Sequence, residues 1–141
     1  MTNWRRACGF IVFRRRSTGP EMLLMQFARS EEWAPPEGCQ ERGETDMETA
    51  YRELEEETGL TKGDVTVHPT YEYTVSYPVR QGTKRSTFYL GEVSTTQEIR
   101  LSEEHGAFGW FKFYQAIRTG YHQNYKDLYA HARDFIAQNQ E

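Results

Sequence analysis

The stretch GCQERGETDMETAYRELEEETGL, residues 38–60, places eight acidic residues and two arginines within 23 positions. Its middle predicts an α-helix, because Thr45 followed by Glu48 forms a capping-box pattern and Gly59 is a typical C-terminal stop. Four apolar residues recur on one side at helical spacing: Met47, Ala50, Tyr51 and Leu54. We therefore expect a helix that buries this stripe and carries its acids elsewhere.

Three of those acids share one face of the predicted helix. Glu53, Glu56 and Glu57 lie three and four positions apart, and like charges at that spacing destabilise a helix. A solvated acidic surface is one interpretation. The other is a divalent cation, since hard ions such as Mg²⁺ take oxygen ligands and keep positions for water and substrate phosphate. The carbonyl of Gly38 is then a further candidate ligand.

The spacing of the whole stretch decides between these interpretations. It follows the pattern G-x5-E-x7-R-E-U-x-E-E-x-G-U, in which U is a bulky apolar residue. Every fixed position is met, by Gly38, Glu44, Arg52, Glu53, Leu54, Glu56, Glu57, Gly59 and Leu60. This segment resembles the Nudix box, and the metal interpretation is favoured.

The resemblance implies an α/β fold in which a mixed β-sheet is sandwiched between α-helices, with one domain over residues 1–141. It implies a hydrolase of nucleoside diphosphate derivatives that uses Mg²⁺ or Mn²⁺. The implied metal ligands are Gly38, Glu53, Glu56, Glu57 and Glu104, and the implied catalytic carboxylates are Glu53, Glu57 and Glu104. The implied structural residues of the box are Glu44, Arg52 and Gly59.

Glu104 enters through a second pattern, LSEEHGAFGW at 101–110. It is similar to a segment of the animal-type asymmetrical diadenosine tetraphosphate hydrolases, in which a glutamate before a histidine lies in a loop over the metal ions. Glu104 and Glu53 are the alternative general bases, and an assignment exchanged between Glu103 and Glu104 stays open. His105 is expected to orient the loop. The resemblance predicts cleavage of dinucleoside polyphosphates to a nucleoside triphosphate and a monophosphate.

The same resemblance extends to the substrate. It implies that Tyr77 and Tyr125 sandwich a base and that Lys84 contacts phosphate. Core packing for either tyrosine and a solvated Lys84 remain the alternatives. Base–aromatic stacking contributes about 1–3 kcal/mol per base and tolerates any base.

One loop departs from the family pattern. Where those relatives usually read close to H-H-W-T-P-P-K-G-H, this chain reads EEWAPPEGC at 31–39. Glu31 or Glu32, together with Glu37, therefore replaces a phosphate-facing histidine and lysine, and Phe88 stands where a tyrosine hydroxyl usually approaches phosphate. The alternatives are a Nudix enzyme acting on the 5′ end of RNA, a nucleoside triphosphate or a nucleotide sugar, and a Nudix protein that binds a nucleotide or partner without turnover.

Composition limits the remaining classes. The chain has 141 residues, a net charge of −4 and no long apolar run, so we expect neither a membrane span nor general nucleic-acid binding, with RNA only as a substrate. Cys8 and Cys39 have no metal-ligand spacing, which favours a reducing, cytoplasmic compartment. A monomer is expected. Three histidines are expected to be surface or packing residues: His68, His122 and His131.

The other elements follow from apolar patterning. Two prolines and a glycine predict that 31–38 is an irregular loop. An amphipathic C-terminal helix is predicted around 125–136, because apolar residues recur there at helical intervals. Strands are predicted at 7–15, 22–28, 64–77, 85–93 and 106–113.

Overall fold

The computed structural model describes residues 4–120 and 122–139. A mixed β-sheet carries helices on both faces, which confirms the predicted α/β class. In chain order the elements are β1 (Trp4–Arg16), β2 (Gly19–Phe27), β3 (Trp33–Ala34), β4 (Glu37–Cys39), α1 (Asp46–Thr58), a 3-10 turn (Lys62–Asp64), β5 (Thr66–Val67), β6 (Tyr73–Val79), β7 (Gly82–Glu92), β8 (His105–Lys112), α2 (Phe113–Thr119) and α3 (Gln123–Gln138).

The sheet is organised around β1. This strand pairs antiparallel with β2 and β4 and parallel with β7. Strands β3 and β8 add to β2, and β5 and β6 add to β7, all antiparallel. Because Cys8 lies opposite both Gly38 and Thr87, the β4 strand that precedes α1 is held beside the centre of the sheet.

Alternation along β1 builds the two cores. Phe10 and Val12 face the layer that contains Ala50 and Leu54 of α1. Ile11 and its neighbours of the same parity face the layer formed by α2 and α3. Successive strand residues point to opposite faces, so one apolar strand serves both cores. No helix in the described part of the chain has the length and apolar character needed to span a membrane.

Local signals place α1 as predicted. The Thr45 hydroxyl accepts from the Glu48 backbone N–H at 3.1 Å, and the Glu48 carboxylate accepts from the Thr45 backbone N–H at 2.8 Å. Gly59 ends the helix in a left-handed conformation with φ of 77°, which glycine adopts without steric cost. The helix is thus bounded by its own sequence.

The expectation of an irregular loop at 31–38 is wrong in part. Trp33–Ala34 pairs with β2, and Glu37–Cys39 pairs with β1. The two prolines lie between these short strands, where their missing N–H groups interrupt no ladder, and the Pro36 carbonyl still accepts from the Phe10 N–H at 3.1 Å. Proline contributes no backbone N–H donor to a strand, but its carbonyl oxygen can still accept a hydrogen bond.

Two other elements differ from the prediction by more than a shift of their ends. The strand predicted at 64–77 is divided into β5 and β6, with Pro69 in the intervening segment. The helix α2, a seven-residue element, was not predicted, because it offers too few turns for a recurring apolar pattern. Both differences lie outside α1 and the predicted acidic face.

Candidate active site

Gly38 and Glu53 lie in direct contact. A Cβ built on Gly38 would stand 2.0 Å from the Glu53 Cδ and 2.1 and 2.4 Å from its two oxygens. The carboxylate therefore occupies the space that a side chain at position 38 would fill. Strand β4 and helix α1 therefore pack so closely that the Gly38 backbone contacts the Glu53 carboxylate.

Glu57 is the buried member of the acidic face, with 8% of its surface exposed. Burial, with a hydrogen bond to Glu53 and repulsion from that carboxylate, raises the pKa of Glu57 to about 10, while the Glu37 backbone N–H opposes the shift. In the metal-free protein, Glu57 is thus protonated at neutral pH. A carboxyl that burial and a neighbouring carboxylate keep protonated marks a position where a cation is electrostatically favoured.

Arg52 and Glu44 form the structural pair predicted from the box. The Arg52 Nε donates to one Glu44 oxygen at 2.6 Å, and the second guanidinium nitrogen donates to the other at 3.1 Å. This pairing, aided by the Glu41 backbone N–H, lowers the pKa of Glu44 to about 2. Arg52 also donates to the Cys39 carbonyl at 2.9 Å. The arginine therefore ties α1 to the end of β4.

The third acid of the face is more exposed. Glu56 accepts from Arg52 at 3.1 Å, and Glu53 accepts from the same nitrogen at 2.7 Å. Across residues 4–120 and 122–139, no three His, Cys, Asp or Glu side chains lie together in a metal-binding arrangement. Arg52 instead holds two of the acids by their oxygens.

The donors at this face nevertheless suit a hard divalent ion. They are carboxylate oxygens from successive helical turns and the backbone of a residue without a side chain, and such oxygens are the ligands that Mg²⁺ takes. The Glu53 carboxylate fills the space that a Cβ at position 38 would need, and the raised pKa of Glu57 beside it indicates that positive charge is favoured there. The residues present therefore fit the ion that the family implies.

The loop carrying Glu104 is anchored to the end of α1. The Arg100 N–H donates to the Thr58 carbonyl at 2.7 Å, and the Ser102 N–H donates to the Glu57 carbonyl at 3.3 Å. Glu104 follows two residues later, and with Glu103 it lines an open cleft of about 420 Å³ beside Phe27. The loop thus starts at the acidic face and continues to this cleft, which Glu104 lines.

His105 supports that loop from below. It is buried, its Nδ1 lies 3.1 Å from the Ser102 hydroxyl, and its ring packs on Phe27 at 5.0 Å between centroids. Burial lowers its pKa, although the Glu104 carboxylate opposes this. The imidazole is therefore buried and hydrogen-bonded within the turn, and its role in orienting the loop stays a prediction.

Another cleft, of about 190 Å³, opens between the acidic loop and the start of α3, and it is lined by Tyr77, Lys84 and Tyr125. We call it the aromatic cleft. The Tyr77 and Tyr125 rings are 6.2 Å apart but stand edge to face at 61°. The His122 ring lies parallel to Tyr77, at 9° and 6.2 Å. The cleft therefore gathers the predicted aromatic pair, and His122, expected only at the surface or in packing, is a further wall.

Glu37 was predicted to stand where relatives have a phosphate-facing residue, but in the structure its carboxylate contacts other side chains of the protein. Its carboxylate accepts from the Tyr125 hydroxyl at 2.5 Å and from the Ser86 hydroxyl at 2.7 Å, and lies 3.9 Å from the Lys84 Nζ. Burial alone would lower the pKa of Lys84, but Glu37 and Tyr77 raise it above its usual value. Lys84 is therefore a paired cation rather than a solvated side chain.

The other residues that differ from the family pattern are Glu31 and Glu32 in the loop and Phe88 in β7, and they differ in how close they lie to the cleft. Glu32 lines the rim of the same cleft and approaches the His122 Nε2 at 3.5 Å. Glu31 contributes its backbone carbonyl to the Gln26 side chain. Phe88 is fully buried and packs its ring edge-on against Tyr125. Of these residues, Glu32 and Glu37 have side chains that face the cleft.

Comparison with known proteins gives a consistent result. The NUDIX domain family model matches residues 4–135. The asymmetrical bis(5′-nucleosyl)-tetraphosphatase of Sus scrofa is 34% identical over 139 residues, covering 93% of this chain and 95% of that protein. The crystal structure of a C. elegans Ap4A hydrolase binary complex superposes with a TM-score of 0.90 at 27% identity, covering 95% of this chain and 98% of that one. An RNA pyrophosphohydrolase of Legionella pneumophila is 32% identical over 99 residues, 59% of this chain and 57% of that protein.

Proposed function

The chain belongs to the Nudix hydrolase family, and from this premise we propose that it cleaves dinucleoside polyphosphates, such as diadenosine tetraphosphate, to a nucleoside triphosphate and a monophosphate. The observation that carries the proposal is the contact of Gly38 with Glu53, beside the buried Glu57. The 34% identity to an asymmetrical bis(5′-nucleosyl)-tetraphosphatase over nearly the whole chain supports the substrate class.

The proposed reaction is hydrolysis of a phosphoanhydride. A water oxygen forms a bond to one phosphorus, the bond from that phosphorus to the bridging oxygen breaks, and the bridging oxygen leaves with the second fragment. One water proton must be accepted as the new bond forms. A carboxylate within hydrogen-bond reach serves this role, and we assign it to Glu53 or Glu104, with Glu57 as the third catalytic carboxylate.

We assign the metal ligands to the Gly38 carbonyl, Glu53, Glu56, Glu57 and Glu104, with Mg²⁺ or Mn²⁺ as the ion. When bound, the ion lowers the pKa of the attacking water and neutralises charge on the phosphate oxygens. The protein itself holds these carboxylates in fixed positions relative to one another. Arg52 ties α1 to Glu44 and to the end of β4, and Gly59 ends the helix. The Ser102–Glu57 backbone bond holds the Glu104 loop at the same helix.

The substrate end of the site is the aromatic cleft. We assign Tyr77 and Tyr125 to the base and Lys84 to phosphate. The proximity of Lys84 to the acidic face through the Glu37–Gly38 backbone supports a nucleotide that runs from the cleft towards Glu53. We also propose a monomeric enzyme formed by a single domain over residues 1–141. Cys8 and Cys39 are free thiols, consistent with the proposed cytoplasmic location.

One observation favours a second candidate. Lys84 is already paired with Glu37, so this edge of the site holds less net positive charge than a long phosphate chain prefers. The second candidate keeps the chemistry and changes the substrate to the triphosphate end of RNA, a free nucleoside triphosphate or a nucleotide sugar.

The test is a product analysis of diadenosine tetraphosphate incubated with the protein and Mg²⁺, resolved by anion-exchange chromatography. Equal yields of ATP and AMP are expected, and Glu57→Gln is expected to abolish them. Intact substrate, with the same preparation active on a triphosphate RNA or a nucleotide sugar, supports the second candidate. Nucleotide binding without turnover of any of these compounds would identify a binding protein instead.

A further inference from the structure

The aromatic cleft contains a feature that stacking alone does not use: a carboxylate at its floor. Trp33, Tyr77 and Tyr125 contribute aromatic surface to the cleft, and Glu37 lies among them with 13% of its side chain exposed. A buried charged group has to be hydrogen-bonded to be tolerated. The partners of Glu37 therefore determine what this carboxylate can still accept.

Two hydrogen bonds from the protein hold the Glu37 carboxylate in place. Oε1 accepts from the Tyr125 hydroxyl, while Oε2 accepts from the Ser86 hydroxyl and lies near the Lys84 Nζ. Each carboxylate oxygen has about two acceptor positions, so one position on each oxygen remains for a ligand. The carboxylate is consequently a fixed pair of acceptors, and it offers no donor to whatever enters the cleft.

This arrangement distinguishes between purines. The Watson–Crick edge of guanine presents two adjacent donors, N1–H and N2–H, which match two carboxylate oxygens. Adenine presents one donor, on N6, beside the N1 acceptor, whose lone pair would face a carboxylate oxygen. A good bidentate pair discriminates strongly against the wrong base because the mismatch leaves a polar group unpaired.

The geometry points to Glu37 as a specificity-determining residue that makes this cleft select guanine over adenine in the nucleotide substrate. The inference rests on the proposed function, because it names which base of a nucleoside polyphosphate enters the cleft.

The opposite occupant, a phosphate group at the floor, fits the same contacts poorly. A phosphate next to Glu37 would bring two anions together in a partly dehydrated site, where charge repulsion is much stronger than in water. Lys84, which we assign to a phosphate further along the chain, offsets this repulsion only in part, because its charge is shared with Glu37. The hydroxyls of Tyr125 and Ser86 both donate to Glu37 and are not directed at a phosphate. A base edge rich in N–H groups leaves all of these contacts intact and donates to the acceptor positions that remain on Glu37.

The test compares three substrates with identical phosphate chains: diguanosine, diinosine and diadenosine tetraphosphate. For the wild type we expect kcat/KM to favour the diguanosine compound over the diadenosine compound by about five- to 100-fold. Diinosine tetraphosphate retains N1–H and lacks the 2-amino group, so it should fall between the two.

The variant Glu37→Gln keeps the shape of the side chain and replaces one acceptor by a donor. A glutamine amide matches adenine, donating to N1 and accepting from N6, and it matches guanine and hypoxanthine equally, donating to O6 and accepting from N1–H. The preference for guanine should therefore be largely lost in this variant. Glu98→Gln, which removes an exposed carboxylate outside the cleft, should retain the wild-type order.

The outcomes separate the possibilities. A wild-type preference for guanine that is lost in Glu37→Gln supports the inference, and one that Glu37→Gln retains overturns it. Equal rates for all three substrates in the wild type overturn it and leave the proposed function standing. If Glu37→Gln accelerates all three by the same factor, Glu37 faces phosphate, and the inference is again overturned. Hydrolysis of none of the three by an otherwise active preparation overturns the proposed function itself.

Discussion

Replacing Gly38 with alanine is expected to disable hydrolysis while leaving the fold intact. The added Cβ would lie 2.0 Å from the Glu53 Cδ, whereas ordinary van der Waals contact begins at 3.4 Å. The carboxylate must therefore retreat by about 1.4 Å, the difference between these two distances. The clash is with the flexible end of a side chain, so the carboxylate moves rather than the backbone.

The size of the effect follows from that displacement. Misplacing a reacting or ligating group by about 1 Å lowers catalysis by roughly 100-fold, or about 2.7 kcal/mol of transition-state stabilisation. The backbone at Gly38 does not adopt a positive φ, so alanine fits the strand without strain. We expect kcat/KM to fall by about 100-fold or more, with a thermal midpoint within a few degrees of the wild type.

The assay is steady-state hydrolysis across a Mg²⁺ titration, with Gly63→Ala as the matched control. A Cβ at Gly63 would meet only the Thr61 hydroxyl, at 3.8 Å, so this variant should retain full activity. A double variant, Gly38→Ala with Glu53→Asp, withdraws the carboxylate by one methylene, about 1.5 Å, and should recover part of the loss. Wild-type kcat/KM in Gly38→Ala would refute the reasoning, as would equal impairment of the control.

Three further predictions concern neighbouring residues. Glu57→Gln is expected to raise the thermal midpoint of the metal-free protein at pH 7 to 9, because a carboxyl whose pKa rises from 4.5 to about 10 loses its stabilising contribution as the pH increases through that interval; an unchanged midpoint at pH 9 would contradict this. Glu44→Gln is expected to lower the midpoint at pH 7. Because the pKa of Glu44 falls from 4.5 to about 2, its contribution is present above pH 4.5 and is lost towards pH 2, so the two proteins should converge in acid. Tyr77→Ala should raise KM by about five- to 100-fold with kcat nearly unchanged, since stacking stabilises bound substrate and transition state alike; the exposed Tyr114→Ala is the control, and a fall in kcat alone would exclude a role in base binding.

The elements that the sequence predicted correctly are those whose determinants are local. The capping box of Thr45 and Glu48 and the stop at Gly59 define α1 within its own residues, so the shared face of its acids followed from helical geometry alone. The short strands around Pro35 and Pro36 depend on partners in β1 and β2. No local pattern carries that information, which is why a loop was predicted there.

The same distinction applies to the site. Glu53, Glu56 and Glu57 were found by spacing, since they lie on adjacent turns. The bond between Glu37 and Tyr125 joins residues 88 positions apart, and only the fold brings them together. The glutamate at position 37, where relatives usually have lysine, therefore indicated a change in charge. Only the structure shows that Glu37 is the partner of Lys84.

Arg52 accounts for how the acidic stretch is tolerated before any ion binds. Its guanidinium donates to Glu44, Glu53 and Glu56 and to the Cys39 carbonyl, using the five N–H donors that arginine presents in one plane. Lysine has a single nitrogen and could not reach these acceptors together. The arginine neutralises the outer side of the face while Glu57, on the buried side, retains a proton. Arg52 therefore compensates the exposed acids and the proton compensates Glu57, and the divalent ion that we propose would take the place of that proton.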